Sequence, residues 1–270
     1  MSGTLKSKCI GFVGVGVMGQ AIIKSLLAKS ATADQICITD KVLEKAEEVS
    51  SNLKVSLKNI SEIGQKCEVI LLAVKPQDLA KVLSELKTSI KPDSLVISIA
   101  AGKTIKFIEE NLGSKNPVIR VMPNTPALIG KGVSAIAAGT YTNAGHLEIA
   151  NEIFASTGLV IQIPEDKLNA VTALSGSGPA YFFNFIEAMV NAGVELGLTR
   201  EIATTLAIET ISGSAAMLKE SGLDAATLRT NVTSPNGTTA AALQVFSENS
   251  FENIILQAMS AAEKRAQELA

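Results

Sequence analysis

Residues 10–19 read Ile-Gly-Phe-Val-Gly-Val-Gly-Val-Met-Gly, and the last three glycines of this stretch decide the fold. The apolar run before Gly14 predicts a buried strand, and a stretch with helical spacing follows it. Gly14 permits a tight turn, Gly16 lets the backbone approach a pyrophosphate, and Gly19 lets the helix pack closely on the strand. The free N–H groups and the dipole of that helix favour a pyrophosphate. We therefore predict a dinucleotide site; a purely structural glycine turn is the alternative.

The first 163 residues alternate between two apolar periodicities, which predicts a Rossmann-type α/β dinucleotide-binding domain over residues 1–163. Repeated strand–helix–strand units imply a mostly parallel sheet covered by helices on both faces. The predicted strands are Cys9–Val13, Gln35–Thr39, Glu68–Val74, Leu95–Ile99, Val118–Met122 and Leu159–Ile163. The predicted helices are Met18–Lys29, Val42–Ser51, Gln77–Thr88, Ile105–Leu112 and Leu147–Ser156.

The pattern changes after Pro164, and residues 164–270 are predicted to form an all-α domain. Thr199 and Asp224 are predicted N-caps, the second of a short helix. The domain is rich in Ala, and its apolar faces are too wide for one small bundle to cover. We expect it to pack against a second copy as a dimerisation domain, with a compact monomeric bundle as the alternative. The longer predicted helices are Leu168–Leu174, Ala180–Leu196, Glu201–Lys219, Ala240–Ser247 and Phe251–Leu269.

Composition excludes several classes of protein. The formal net charge is -2, with 24 Lys and Arg against 26 Asp and Glu, so nucleic-acid binding is not expected. No stretch approaches the roughly 18 apolar residues of a membrane span, and the N-terminus lacks the apolar core of a secretory signal. We therefore expect a cytoplasmic protein that does not bind membranes.

The cysteines and the single histidine offer little for catalysis or metal binding. Cys9, Cys37 and Cys67 stand about thirty residues apart, so no pair has metal-ligand spacing. We interpret them as small buried side chains in a reducing compartment and predict no metal. His146 lies in a polar stretch and is interpreted as a surface residue. One histidine leaves almost no material for a Ser-His-Asp triad or a His-based zinc site.

The end of the second predicted strand bears on the choice of coenzyme. Asp40 stands about 20 residues after Gly19, where an acidic side chain accepts hydrogen bonds from ribose hydroxyls and repels a 2′-phosphate. This position favours NADH. Thr39 and Lys41 flank Asp40 and would hold a phosphate if Asp40 pointed away, so NADPH remains open. The alternative role of Asp40 is to cap the next helix.

Two further strand ends are predicted to contact the dinucleotide. One is Ala73–Pro76 and the other is Ala100–Gly102. Ligands of an open parallel sheet bind outside the carboxyl ends of its strands. Plain turns are the alternative at both places. Lys75 is interpreted as a solvated or cofactor-facing residue rather than a catalytic acid.

Five segments together resemble the pyrroline-5-carboxylate reductase family. The resemblance covers essentially the whole chain, and the last two segments are much more specific than the glycine pattern. The segments are Phe12–Gly19, Ala73–Pro76, Val121–Pro126, Leu174–Tyr181 and Val232–Thr239.

The resemblance implies a Rossmann domain followed by a helical dimerisation domain, with dimers that often assemble further into rings. It also implies reduction of 1-pyrroline-5-carboxylate to L-proline by NADPH or NADH. By position, the implied substrate-site residues are Glu165, Ser234, Gly237, Thr238 and Thr239. Together with the glycine turn and the strand ends, the predicted cofactor contacts are Gly14, Val15, Gly16, Val17, Met18, Gly19, Thr39, Asp40, Asn59, Ala73, Val74, Lys75, Pro76, Ala100, Ala101, Gly102 and Asn231.

The segment Ser234–Thr239 suits the reduction of a cyclic imine acid. Pro235 and Gly237 bend the chain so that successive N–H groups can converge on a carboxylate. A hydroxyl can donate toward the developing amine nitrogen, and Thr239 is the predicted catalytic residue. The coenzyme supplies the hydride, so the protein needs neither a nucleophile nor a metal. Taken alone, the segment also fits an ordinary turn between helices.

One position departs from the family, which usually has glycine where this chain has Asn236. Asn tolerates positive φ better than other non-glycine residues, so the loop is expected to keep its shape. Residues 175–179 are interpreted either as a break between helices or as close packing beside the substrate. Two alternative functions remain: a related reductase of another imine or of a hydroxy acid, and a dinucleotide-binding sensor without turnover.

Overall fold

A computed structural model describes residues 3–269. The chain forms two compact units, one of Met1–Ser177 with Ala262–Ala270 and the other of Gly178–Ala261. The predicted change at Pro164 is present, because β8 (Gly158–Gln162) is the last strand of the described residues. The first unit nevertheless extends to Ser177. The helix after Pro164 contributes the buried Leu168 to the core of the sheet.

The first unit contains an eight-stranded sheet in the order β3-β2-β1-β4-β5-β6-β7-β8. The strands β1 to β6 are parallel, β7 runs antiparallel to β6, and β8 is parallel to β7. The six predicted strands are present, whereas β3 and β7 were not predicted. The strands before β8 are β1 (Ile10–Val13), β2 (Ile36–Thr39), β3 (Ser56–Leu57), β4 (Val69–Leu72), β5 (Leu95–Ser98), β6 (Val118–Met122) and β7 (Gly132–Ala138).

Helices of the first unit cover both faces of this sheet. Phe12 of β1 belongs to one buried cluster and its neighbour Val13 to a second, because successive side chains of a strand point to opposite faces. Buried, continuously apolar strands are typical of such a sheet. The predicted helices are present, α5 with the predicted ends and the others with shifted ends, and α3 is an addition. The helices are α1 (Val17–Lys29), α2 (Leu43–Leu53), α3 (Ile60–Lys66), α4 (Leu79–Leu86), α5 (Ile105–Leu112), α6 (Ala144–Ala155) and α7 (Leu168–Val171).

The second unit is helical, as predicted for this part of the chain. The predicted N-caps are confirmed: the Thr199 hydroxyl accepts a hydrogen bond from Ile202 N, and Asp224 Oδ1 accepts one from Thr227 N. Several large apolar side chains are exposed, among them Phe183 at 70%. No described helix is long and apolar enough to cross a membrane. The helices are α8 (Gly178–Glu195), α9 (Arg200–Glu220), α10 (Ala225–Asn231), α11 (Thr238–Glu248) and α12 (Phe251–Glu268), whose last residues belong to the first unit.

Candidate active site

The glycine turn between β1 and α1 packs against the end of β4. Gly14 has φ +99°, and a Cβ added to it would lie 2.6 Å from the Ala73 carbonyl oxygen. Gly14 N donates to Thr39 O at 2.8 Å, which holds the turn against β2 as well. A side chain at Gly14 is therefore excluded by both conformation and space.

The other two glycines have the two remaining roles of a dinucleotide turn. A Cβ on Gly19 would lie 2.6 Å from Gly14 O, so helix and strand could not approach as closely with any side chain there. A Cβ on Gly16 would meet nothing within 4 Å, so the space in front of Gly16 is open. Gly16 is the N-cap of α1 and no side chain caps it, which leaves the first N–H groups of the helix for an anion. These residues fit the pyrophosphate of a nicotinamide dinucleotide.

Asp40 supports the glycine turn with one oxygen of its carboxylate and its own following segment with the other. Oδ2 accepts a hydrogen bond from Val15 N at 2.8 Å, and Oδ1 accepts one from Val42 N at 3.0 Å. Val42 is the N-cap of α2 and no side chain caps this helix, so the alternative role of Asp40 as a helix cap is not present. A carboxylate has about four acceptor sites, so ribose recognition remains a prediction. Lys41 Nζ is held by Asp78 Oδ2 at 2.8 Å.

The other predicted coenzyme contacts of the first unit follow the carboxyl ends of neighbouring parallel strands. Ala73–Pro76 follows β4 and Ala100–Gly102 follows β5. Lys75 is exposed, whereas Gly102 is buried. Asn59 comes shortly after β3, where its Oδ1 accepts from Glu62 N at 2.9 Å and caps α3. The topology thus places these residues along the same edge of the sheet as the glycine turn.

Glu165 forms an ion pair with the buried Arg120 that the sequence did not reveal. Its Oε1 accepts hydrogen bonds from Arg120 Nη1 at 3.1 Å and from Ile105 N, at the start of α5, at 2.7 Å. The Arg120 side chain is 6% exposed and that of Glu165 29%. One oxygen of the predicted substrate-site carboxylate is therefore committed to the protein. The only sequence feature that points to this pair is an arginine inside an apolar strand.

Two of the segments that resemble the reductase family lie in contact. Asn124 Nδ2 donates to Ser175 Oγ at 3.2 Å, and Asn124 Oδ1 accepts from Val133 N at 2.8 Å. Ser175 lies in a π-helix, Thr172–Gly176, which precedes α8. Such π-helices are frequent at functional sites. The break between helices is therefore present, whereas close packing of residues 175–179 beside the substrate stays a prediction.

The segment Ser234–Thr239 is a tight turn that leads into α11. Gly237 N donates to Ser234 O at 3.0 Å, and Pro235 occupies the second position of the turn. Asn236 has φ 60°, so the predicted left-handed conformation is present at this departure from the family. The turn ends at Gly237, directly before the first N–H groups of α11.

The start of α11 is open to an anion. Gly237 is its N-cap without a side-chain hydrogen bond, and Thr238 and Thr239 are its first two residues. The first N–H groups of a helix have no partner within it, so they are available to a carboxylate. Two hydroxyl groups stand beside these donors. Asn231, another predicted coenzyme contact, is the exposed last residue of α10.

His146 has a structural role. It is half-buried rather than exposed, and its Nδ1 accepts from Asn143 N at 3.2 Å. Together with Asn143 Oδ1, which accepts from His146 N, it forms a capping box at the start of α6. His146 therefore stabilises the start of α6, and no catalytic role is needed to explain its position.

Comparisons with known proteins agree with the two-part organisation. A family model described as pyrroline-5-carboxylate reductase dimerisation matches residues 165–269, and one described as NADP oxidoreductase, coenzyme F420-dependent, matches residues 9–102. Pyrroline-5-carboxylate reductase of Pseudomonas aeruginosa is 40% identical over 97% of this chain and 96% of its own length. The chain belongs to the pyrroline-5-carboxylate reductase family. The family enzyme of Haemophilus influenzae is also 40% identical, over 98% of both chains.

Solved structures of the family have the same fold. A pyrroline-5-carboxylate reductase from Coxiella burnetii matches with a TM-score of 0.92 and 35% identity, over 98% of this chain and 99% of that one. Pyrroline carboxylate reductase from Plasmodium falciparum, with NADP bound, matches with a TM-score of 0.86 and 32% identity, over 98% of both chains. These matches make the chain an NAD(P)H-dependent oxidoreductase with a Rossmann-type first domain.

We predict that Asp40→Asn weakens the binding of both coenzymes by about threefold to tenfold, since it can keep only one of the two hydrogen bonds to backbone N–H groups. NADPH should lose less affinity than NADH, because the change removes a negative charge near the 2′ position. Titration followed by nicotinamide fluorescence measures both dissociation constants. Asp93→Asn is the matched control, because Asp93 is exposed before β5, at the edge of the sheet opposite the glycine turn. Equal losses for the two coenzymes would remove Asp40 from ribose recognition.

Glu165→Gln should lower the free energy of unfolding by about 2–3 kcal/mol, because it leaves the buried Arg120 charge without its partner. The loss is smaller than the 3–5 kcal/mol of a fully buried pair, since Glu165 is 29% exposed. Urea denaturation measures it. Asp166→Asn, in an exposed pair with Lys167, should change stability by under about 0.5 kcal/mol. A Glu165→Gln protein as stable as this control would contradict the structural role of the pair.

Proposed function

We propose that this protein reduces 1-pyrroline-5-carboxylate to L-proline with NADPH or NADH, as a step of proline biosynthesis. The observation that carries the proposal is the start of α11. There an uncapped helix N-terminus and the hydroxyls of Thr238 and Thr239 follow the turn at Ser234–Gly237. This set of donors suits a carboxylate and a ring nitrogen. Membership of the family over nearly the whole chain supports the same reaction.

The first unit holds the coenzyme, which when bound supplies the hydride for the imine carbon. The pyrophosphate is bound at Gly14–Gly19, and the predicted contacts along the strand ends position the rest of the molecule. Use of NADPH is supported by the NADP in the Plasmodium falciparum relative. Use of NADH is supported by the carboxylate of Asp40 beside the turn. We propose that both coenzymes are accepted.

The second unit binds the substrate carboxylate. The N–H groups of Thr238 and Thr239 donate to it at the positive end of the α11 dipole. Ser234 and Gly237 shape the turn that presents these groups. The Thr239 hydroxyl would donate a hydrogen bond toward the ring nitrogen. Glu165 contributes to the substrate site through Oε2, since Oε1 is bound to Arg120 and Ile105.

We propose that residues 164–270 form the dimerisation and substrate domain of a homodimer, and that dimers assemble further into a ring. The dimerisation family model over residues 165–269 supports the first statement. The exposed side chains of Phe182, Phe183 and Leu256 support it as well, because large apolar patches mark interfaces. A cytoplasmic location suits the three free thiols of the chain.

The reaction is tested by following the oxidation of NADH and of NADPH with 1-pyrroline-5-carboxylate, and by identifying L-proline as the product. A panel of other cyclic imines and of hydroxy acids serves as the comparison. We expect turnover with 1-pyrroline-5-carboxylate to exceed that with every other compound. Faster turnover of another imine or a hydroxy acid would favour a related reductase. Tight coenzyme binding without any turnover would favour a sensor.

Thr239→Val should lower kcat by about tenfold to a hundredfold, because it removes a donor that is used as the ring nitrogen gains its proton. The dissociation constant of NADH should change by less than about twofold. Thr239→Ser keeps the hydroxyl and should recover most of the activity. Thr205→Val, which removes an exposed hydroxyl of α9, is the control. Unchanged turnover in Thr239→Val would remove Thr239 from the mechanism.

A further inference from the structure

The three cysteines of the chain, far apart in sequence, lie together in the first unit. Cys9 Sγ is 3.1 Å from Cys67 Sγ and 3.7 Å from Cys37 Sγ, and all three sulfur atoms lie within 4.8 Å of one another. Cys37 and Cys67 are buried and Cys9 is half-buried, and all three are free thiols. We call these three residues the thiol cluster. Their wide spacing in sequence conceals it.

The sheet brings the sulfur atoms together because β1 lies between β2 and β4. Cys9 directly precedes β1, Cys37 lies in β2, and Cys67 caps the C-terminal end of α3 shortly before β4. Gly11 pairs with Cys37, and a Cβ on Gly11 would lie 3.0 Å from Cys67 Sγ. The missing side chain at Gly11 therefore leaves room for Ile63 of α3 and for the sulfur atom of Cys67.

The spacing of the sulfur atoms approaches that of a thiolate metal centre. A Zn–S distance of about 2.3 Å and tetrahedral angles put two sulfur ligands about 3.8 Å apart. The Cys9–Cys37 separation of 3.7 Å agrees with this value, whereas the 3.1 Å between Cys9 and Cys67 must open by about 0.7 Å. No His, Asp or Glu of residues 3–269 belongs to the group. The fourth position is thus left to solvent, on the side of half-buried Cys9.

The surroundings act differently on the three thiols. Hydrogen bonds from Cys67 and Cys9, together with the positive charges of Lys66 and Lys58, lower the pKa of the Cys37 thiol. A hydrogen bond to Cys37 and burial raise the pKa of the Cys67 thiol and of the Cys9 thiol. A cation must therefore displace protons when it binds, and the positions of the three sulfur atoms are what favour the site. Glu68 lies near as well, but its Oε2 accepts from Cys9 N and its Oε1 pairs with Lys91.

We propose that Cys9, Cys37 and Cys67 bind one soft divalent cation of the Zn²⁺ and Cd²⁺ class. The cation forms three metal–sulfur bonds, and the thiols release the protons that they still carry. The product has one net negative charge, and no electrons are transferred. Thiolate ligands select such ions over Mg²⁺ and Ca²⁺, which prefer oxygen. A disulfide would join only two of the three sulfur atoms and would need an oxidant.

The position of the cluster separates this site from catalysis. It lies at the amino-terminal ends of β1 and β4, whereas the glycine turn lies at their carboxyl ends. A bound cation would join the start of β1, the strand β2 and the end of α3. Since it binds only the folded chain at this geometry, it should raise the melting temperature. The proposal does not depend on which substrate the protein reduces.

The test uses the full chain, reduced and freed of metal, titrated with Cd²⁺ while thiolate-to-metal charge-transfer absorption is recorded. We expect saturation at one Cd²⁺ per chain, release of protons, and displacement by Zn²⁺ but not by Mg²⁺ or Ca²⁺. Cys9→Ser should weaken binding at least tenfold, since it removes one of three ligands from the half-buried side. His146→Gln is the control for an unrelated zinc site, and it preserves the capping box of α6.

A second measurement needs no variant. Zn²⁺ should slow the alkylation of all three thiols of the unaltered chain, and Mg²⁺ should not. The proposal is overturned if Cd²⁺ binding does not saturate at one ion per chain. It is also overturned if Cys9→Ser binds Cd²⁺ as tightly as the unaltered chain, or if His146→Gln loses Cd²⁺ binding while Cys9→Ser keeps it. Unchanged alkylation rates with Zn²⁺ would overturn it independently of how the variants fold. In that case the three cysteines are packed as small apolar side chains only.

Discussion

The approach of the glycine turn to the end of β4 is the constraint on which the rest of the first unit depends. Gly14 leaves 2.6 Å between an added Cβ and the Ala73 carbonyl oxygen, and Gly19 has the same clearance from Gly14 O. Any side chain there would push α1 away from the sheet. Because the turn is so close, Asp40 can reach Val15 N, and the open space falls in front of Gly16. Coenzyme binding is a consequence of backbone packing.

Among residues 3–269, two helices have a glycine as N-cap with no side-chain hydrogen bond, and both are candidate anion sites. They are α1 after Gly16 and α11 after Gly237. By contrast, Asn59, Thr104, Asn143, Thr199 and Asp224 cap the helices that follow them with their own side chains. A side-chain oxygen at the N-cap satisfies the N–H groups that a ligand would otherwise use. Glycine leaves these donors for a pyrophosphate at one helix and a carboxylate at the other.

Local patterns predicted much of the fold because the responsible interactions are local. The glycine turn, the six apolar strands and the caps at Thr199 and Asp224 each depend on residues within a few positions. The strand β7 was missed because Gly-Val-Ser-Ala-Ile-Ala-Ala consists mostly of small residues with low strand propensity. The helix α3 was missed although Asn59 and Glu62 form a capping box, because its seven residues give too short a pattern.

The candidate site was predictable only in part for a related reason. The donors at Thr238 and Thr239 could be predicted, because the turn and the helix start that expose them depend on neighbouring residues. The partner of Glu165 is 45 residues away in β6, and the three cysteines meet only because β1 lies between two other strands. Contacts of this kind depend on the order of the strands in the sheet, which the spacing of apolar residues does not predict. The Asn236 turn is an intermediate case, since residue type predicted the positive φ that the structure has.

The most direct test of the glycine turn as the coenzyme site uses the Gly16→Ala variant. Its affinity for NADH and its melting temperature without coenzyme are both measured and compared with those of the unaltered protein. Gly16 has φ -63°, which alanine adopts without strain, and its added Cβ meets no protein atom within 4 Å. The coenzyme-free protein should therefore melt at an unchanged or slightly higher temperature. The affinity should fall at least about tenfold, because the methyl group occupies the approach of the pyrophosphate. An unchanged affinity in a protein of unchanged stability would contradict the assignment of this turn.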